Sequence, residues 1–309
     1  MKTNVIETVY TLQSPLSHIG ETESTETFLN TIAIRNGDTV EDVFAYSGNA
    51  IRGAWRDAGA VYLLEKLGGV KLPKKIFHLL FSGGNLSGAQ VTDIEQAKRL
   101  RDSFPFISIF GGGVGNQILS GKITQTFAYP VCKETTDIIP SENPNIDYSA
   151  QKISWRRLTG ETSFTRTDDS KDVLGDRYIG NAELIGNEDK KTEEASTQMR
   201  YTTEYLIPGT QLWHRLELTG EDIELGALVA SLDQWSRKPN LGGMSAKGFG
   251  LVDAAMTING EEFININKNT LSLSKEATRY KGLYDNHLKE LYDHYLVEEK
   301  DSLIKLLEG

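Results

Sequence analysis

Polar and apolar positions alternate near the start of the chain. Val5, Glu7, Val9 and Thr11 stand against Ile6, Thr8 and Tyr10, a period of two that predicts a strand across residues 3–13. Pro15 and Gly20 punctuate a turn. Residues 28–34 form a second apolar, β-branched run. The period then changes. Ile51, Ala54, Trp55, Ala58, Val61, Tyr62 and Glu65 recur at helical spacing and predict a helix over 50–67. Ser47 or Asn49 can cap its start, and Gly68-Gly69 stops it. Shorter helices are predicted over 74–81, closed by Gly83-Gly84, and over 93–101, with Thr92 as cap.

Residues 104–110 are apolar and run into Gly111-Gly112-Gly113-Val114-Gly115; residues 118–131 read as strand with a bend at Gly121. From 136 to 198 the pattern fails. Thirteen Asp or Glu and eight Lys or Arg stand among few aliphatic residues, too polar to build a core and too long for an ordinary loop. Order resumes with strand, Pro208-Gly209 turn and strand over 202–218. A helix follows over 222–235, with Ile223, Leu225, Gly226, Leu228, Val229 and Leu232 inward. A glycine-rich loop over 241–250 leads to a strand over 251–258. A helical stretch over 274–307 carries Leu288, Leu291, Tyr292, Tyr295 and Leu296 on one face. Without insertions the order is strand, helix, strands, helix, strand. That predicts an α+β fold with a ferredoxin-like (RRM-like) antiparallel sheet core, helices on one face and the other face free. Several unrelated folds share this order. The domain reading is residues 1–135 and 200–260 as core, 136–199 as a long insertion, and 261–309 as a helical C-terminal tail.

Composition adds boundaries. The 309 residues contain no apolar stretch long enough to span a membrane, and the first twelve do not read as a signal peptide. Cys132, the single cysteine, excludes an internal disulfide and a thiolate metal cluster. These features point to the cytoplasm, with no membrane partner and no cofactor. The net charge of −10 runs against nucleic acid in bulk, since phosphate binding needs concentrated Lys and Arg. A net count does not locate charge.

Two segments carry candidate chemistry. In the late loop, Gly242, Gly243, Gly248 and Gly250 allow tight turns and close approach to a phosphate, while Ser245 adds a hydroxyl and Lys247 a cation. The lysine precedes glycine and a strand follows, so this is no P-loop; a plain turn is the alternative. In the second segment, Asn49, Arg52 and Arg56 share one face of the first helix turns, where a helix N-terminus favours anions. The alternative there is a solvated face paired with Asp57. Phe104 to Asn116 imitates a dinucleotide loop, but Asn116 replaces the third glycine. The five histidines show no pair at a metal spacing. His18, beside a turn, is the one candidate among them.

In combination these segments resemble the RAMP superfamily of class 1 CRISPR systems, and within it the crRNA-binding backbone subunits. Pro15-Leu16-Ser17-His18-Ile19-Gly20 is similar to the family's early His-Ile-Gly turn, with one residue added. Gly48 to Arg56 matches its helix start, Gly242 to Gly250 its glycine loop, and Phe110-Gly111 with Ser120-Gly121 its "Phe-Gly … Ser-Gly" element. Arg200 to Leu216 is similar to the strand pair that re-enters the core after the family's thumb insertion.

The resemblance implies a non-enzymatic subunit. Its partners would be crRNA, a DNA or RNA target, copies of itself in a helical filament and other CRISPR effector subunits. His18, Asn49, Arg52, Arg56, Gly242, Gly243, Ser245, Lys247 and Gly248 would hold the RNA, with Arg52 and Lys247 expected to be exposed. Lys152, Trp155, Arg156, Arg157, Phe164 and Arg166 of the thumb would add phosphate contacts and stacking. The type III branch places an aspartate after the His-Ile-Gly turn for metal-dependent cleavage of target RNA. Here Glu21, Glu23 and Glu26 stand there instead, which favours a type IV-like or type I-D branch. The alternatives are a metal-dependent endoribonuclease using those glutamates and a small-molecule enzyme whose glycine loops bind phosphate.

Overall fold

A computed structural model describes residues 2–84, 94–114, 117–166 and 199–294. The N-terminal half supplies β1 (Lys2–Leu12), β2 (Ile19–Glu23), β3 (Glu26–Leu29), β4 (Thr31–Asn36) and β5 (Thr39–Phe44). These precede α1 (Gly48–Lys66), α2 (Lys74–Ser82), α3 (Ile94–Ser103) and α4 (Pro105–Phe110). Short strands β6 (Gly112–Val114), β7 (Gln117–Leu119), β8 (Ile123–Gln125) and β9 (Tyr129–Pro130) follow. The rest contains β10 (Thr159–Arg166), β11 (Met199–Leu206), β12 (Gln211–Gly220), α5 (Asp222–Ser236), β13 (Val252–Ile258), β14 (Glu261–Asn267), β15 (Thr270–Leu273) and α6 (Lys275–Tyr292).

The central sheet runs β15-β14-β13-β1-β12-β8, with β9 also on β12. Its middle strands pair antiparallel, Ile6 opposite Leu216 and Tyr10 opposite Ala254. Taking β1, α1, β8, β12, α5 and β13 in chain order gives the β-α-β-β-α-β unit of a ferredoxin-like core. The fold class is therefore as the residue pattern predicts. The period of two sorts β1 cleanly: Ile6, Tyr10 and Leu12 enter the main core under the helices, while Val9 faces the other side. On α1, Ile51, Trp55, Tyr62 and Leu63 are buried. Each such side chain contributes about 2 kcal/mol on leaving water. Trp55, Tyr10, His214 and Trp235 meet at tilted and edge-on angles, with ring centroids 5.9–6.4 Å apart. Helix α6 packs on α5 and is tied to α1 by Asp285, which accepts from Tyr62 Oη and pairs with Lys281 at 3.0 Å.

Several expectations are corrected. The sheet's second face is not free. Residues 131–153 fold over it, and Ile139 and Ile146 join Val9, Val131 and Trp213 in a second apolar cluster. The early part of the 136–199 insertion thus has core contacts that its composition hid. Glu134 anchors it, accepting from Ser154 Oγ at 2.5 Å and the Trp155 amide at 3.0 Å. Burial works to raise this carboxyl, but these bonds outweigh it and hold the group below its ordinary range. The turn-like stretch after His18 is the β2–β3 hairpin, part of a second sheet, β10-β11-β3-β2. The strands flanking Pro208-Gly209 are not a hairpin. β11 joins the second sheet and β12 the central one. The tail is not helical throughout, because residues 261–273 add β14 and β15 to the central sheet before α6 begins. Residues 167–198 and 295–309, with Tyr295 and Leu296 of the proposed helix face, lie outside the described residues.

The buried imidazole generates a prediction. Burial lowers His214 to about 3, against about 6.5 in an unfolded chain. Between these values the unfolded state binds a proton that the folded state excludes, so stability falls as pH falls from about 6.5 towards about 3. Urea midpoints against pH are expected to show this decline, and His214→Phe is expected to flatten it. An unaltered profile in the variant would assign the acid sensitivity to other groups.

Candidate nucleic-acid interface

Helix α1 starts against two loops. Ser47 is its N-cap, yet its side chain makes no capping bond and no acidic residue occupies the first turn. The partial positive charge of this terminus is therefore not offset by the protein's own groups there. Asn49 is exposed at this end. Arg52 and Arg56 follow one and two turns along the same side, about 5 and 10 Å down the axis.

His18 ties the pieces together. Its Nε2 accepts the Ser47 N–H at 3.2 Å, and its ring lies 4.4 Å from that of Tyr46. Burial lowers its pKa, which suits an imidazole acting as acceptor. Tyr46 Oη accepts the Gly242 N–H at 2.6 Å, and the Gly243 N–H reaches Ser17 O at 3.4 Å. The His-Ile-Gly turn, the start of α1 and the glycine loop are thus one assembly, and His18 is a strut within it.

The glycine loop differs from expectation in how it uses its amides. Gly242, Gly243, Gly248 and Gly250 all donate to acceptors within the protein. The glycines shape the loop rather than offer donors. The donors left over belong to the single helical turn Ser245–Lys247, which has no side-chain cap. Ser245, Lys247 and Gly248 are exposed. Lys247 Nζ sits 4.4 Å from the centre of the Phe164 ring on β10, a cation–π contact. Phe249 lies 6.2 Å from Phe164 and 5.9 Å from Tyr205. Phe249 and Tyr205 were missed from sequence. Phe249 directly follows Gly248, and only the fold shows that β10 and β11 come down onto it.

Lys247 is exposed as expected, but Arg52 is not; Arg56 shares its setting. Both are half-buried. Arg52 donates to Phe110 O, and Arg56 donates to Phe110 O at 2.7 Å and to Gly111 O. They close the carbonyl end of α4, where cations are favoured. No carboxylate ion-pairs with either among the described residues. Burial, then the charge of Arg52, lowers Arg56 to about 10, with Asp57 opposing. Burial also lowers Arg52. The pair borders an open cavity of about 300 Å³ with Gly83, Gly84, Gly112 and Gly121 on its walls. The result is a cationic recess to which no carboxylate among the described residues ion-pairs.

The insertion divides. Lys152, Arg156 and Arg157 are exposed on short helical turns. Trp155 is not a stacking surface, being 5% exposed within the main core. A tryptophan in a charged stretch looked available, but Trp155 and Leu158 return to the core together, three residues apart. Phe164 turns to the glycine loop instead, and Arg166 ends β10. Glu21, Glu23 and Glu26 are exposed on the β2–β3 hairpin, with Glu23 opposite Glu26. The described residues contain no group of three or more His, Cys, Asp or Glu placed to hold a metal ion, and none of their helices is long and apolar enough to cross a membrane.

The loop geometry is testable. Gly242 has φ +71°, and an added Cβ would press on Ser17 O, whereas at Gly243 it would meet open space. Gly242→Ala is expected to destabilise the chain by about 1–2 kcal/mol, and Gly243→Ala by a few tenths, both read from urea unfolding. Equal effects would contradict the packing described.

Comparison with known proteins places this geometry. No curated protein matches the chain. Among solved structures, a chain described as "Type IV-B CRISPR Complex" shares the fold with a TM-score of 0.56 and 18% identity, over 82% of this chain and 90% of that one. A sequence profile of the RAMP superfamily matches residues 25–253, from the β2–β3 hairpin through the glycine loop and into β13. With most of its length matched, the start of α1 and the glycine loop included, the chain belongs to the RAMP superfamily.

Proposed function

We propose that this protein is a subunit of a CRISPR effector complex that binds guide RNA along its backbone and stacks with further copies on that RNA. The observation that carries the reading is the Arg52–Arg56 pair, half-buried, bordering an open recess and unpaired with any carboxylate among the described residues. An anion from outside would complete that arrangement. The uncapped start of α1 and the Ser245–Lys247 turn, joined to it through Tyr46 and Gly242, supply neighbouring anion contacts. Asn49 and Lys247 contact the RNA directly in this reading. His18, Gly242 and Gly243 hold the frame. Lys152, Arg156 and Arg157 extend the positive surface.

Family membership and the fold shared with a chain of a type IV-B CRISPR complex support this assignment. The net charge of −10 does not oppose it, because Glu21, Glu23, Glu26, Glu41 and Asp42 lie on the β2–β3 and β4–β5 hairpins, away from the recess lining. The role is binding rather than cleavage, since the position where the cleaving branch uses aspartate carries glutamates on an exposed hairpin. The cytoplasm is the proposed location, and crRNA, target strand and neighbouring effector subunits are the partners.

The purified chain is expected to carry RNA of uniform length and to form large assemblies with it. Its affinity should fall steeply with salt. Lys247→Ala is expected to lower the log–log salt slope by about 1 with only a small drop in melting temperature, from the lost contact with the Phe164 ring. A chain free of nucleic-acid absorbance that stays monomeric with added crRNA would remove the assignment. An unchanged slope in the variant would remove Lys247 from the contact surface.

A further inference from the structure

The recess beside Arg52 and Arg56 has a neighbour. It shares Ile118, Leu119 and Ser120 with a second, larger cavity of about 870 Å³. The two halves differ in chemistry. The smaller is lined by the two arginines and no acid. The larger is balanced: Lys98, Arg101 and Lys122 stand against Asp102, Glu221 and Glu224. Lys122 and Ser108 are already committed to Glu224, at 2.6 and 2.5 Å. Burial works to raise that carboxyl, but these bonds and the Glu221 amide hold it below its ordinary range. Ala97, Pro105, Ile118 and Ile223 provide apolar wall. A chamber of zero net charge, with apolar sides and a few fixed polar groups, gives no purchase to a row of phosphates. It suits a flat, uncharged heterocycle.

Two further observations point to an occupant. Ile118 and Ile94 line this chamber while 69% and 73% exposed, apolar surface that a ligand would cover. Arg101 donates to Ser120 O at 2.8 Å, and its buried Nε has no acceptor among the described residues. Its planar guanidinium forms part of the chamber and matches the face of an aromatic ring.

We propose that the two adjoining cavities hold one nucleotide unit, its phosphate against Arg52 and Arg56 and its base in the larger chamber, reaching across the shared wall of Ile118, Leu119 and Ser120. The proposal rests on the same arginine pair as the RNA-binding reading and adds to it a recess for a single base.

The test titrates the full chain at low salt with AMP, adenosine and inorganic phosphate, followed by calorimetry. AMP is expected to bind at least about tenfold more tightly than either fragment, as joining two contacts in one ligand requires. Ile118→Ala, at an exposed position, is expected to weaken AMP about fivefold and to leave phosphate unchanged. AMP no tighter than phosphate, adenosine equal to AMP, no binding of AMP, or an Ile118 variant indistinguishable from the parent would each overturn the proposal. If single-stranded RNA displaces AMP, the recess lies on the strand's path. If both bind together, it serves a free nucleotide. Both results uphold the site. AMP binding without RNA binding would retain the recess and remove the RNA assignment, and RNA binding without AMP binding would do the reverse.

Discussion

Two guanidinium groups meet at the carbonyl end of a six-residue helix, and the site follows from that contact. Arg52 and Arg56 close α4 by donating to Phe110 O and Gly111 O. In doing so they hold the β6–β7 arm beside α1 and leave the rest of their donors at the edge of a recess. Carbonyl oxygens satisfy hydrogen bonds but carry only partial charge. Positive charge therefore persists in a partly desolvated place, where each guanidinium raises the cost of the other's ionisation. Evolution of a purely structural clamp would have a carboxylate there, as Asp285 does for Lys281 and Glu224 for Lys122. The contrast between those closed networks and this open one separates a scaffold from a site within one molecule.

Placement of the arginines is fixed by what α1 buries. With Ile51, Trp55, Tyr62 and Leu63 in the core, the helix has no rotational freedom, and Arg52 and Arg56 must face the end of α4 and the glycine walls. The glycine loop is fixed as firmly, through Tyr46 and Ser17 to the turn that carries His18. Local charge is thus positioned by apolar packing and neutral hydrogen bonds. Glu21, Glu23, Glu26, Glu41 and Asp42 sit on hairpins that do not line the recess, so the sum over the chain is a poor guide to the field at any one surface.

Much of the core was legible in the residues. The alternation in β1, the helical spacing in α1 and α5, and the strand after the glycine loop gave the antiparallel α+β core. Each of those segments buries a face that its own periodicity reveals. What escaped were features set by distant partners. Strand β2 has only exposed residues, and it pairs with β3, which the distant β11 joins on its other side. Segment 131–153 looked coreless because its apolar residues, Ile139 and Ile146, find partners in Val9 and Trp213 rather than in each other. The arginine pair was found by spacing, but its burial was not, since nothing local foretells that α4 ends against it. Trp155 misled for the same reason, and Phe249 went unnoticed because its neighbours come from β10 and β11.

The cover that Ile139 and Ile146 place over one side of the central sheet has a consequence for recognition. Single-stranded ligands of open-faced sheets spread their bases over exposed rings, and the identity of each base then affects the grip. Here the corresponding ring, Trp213, is hidden beneath protein. In the proposed role, and away from the chamber beside Ile118, the grip falls to helix ends, loop turns and cationic rims, where sugar and phosphate are the same at every position. Such contacts are indifferent to the letters a strand carries, which leaves the edges of most bases outward for a complementary strand to read.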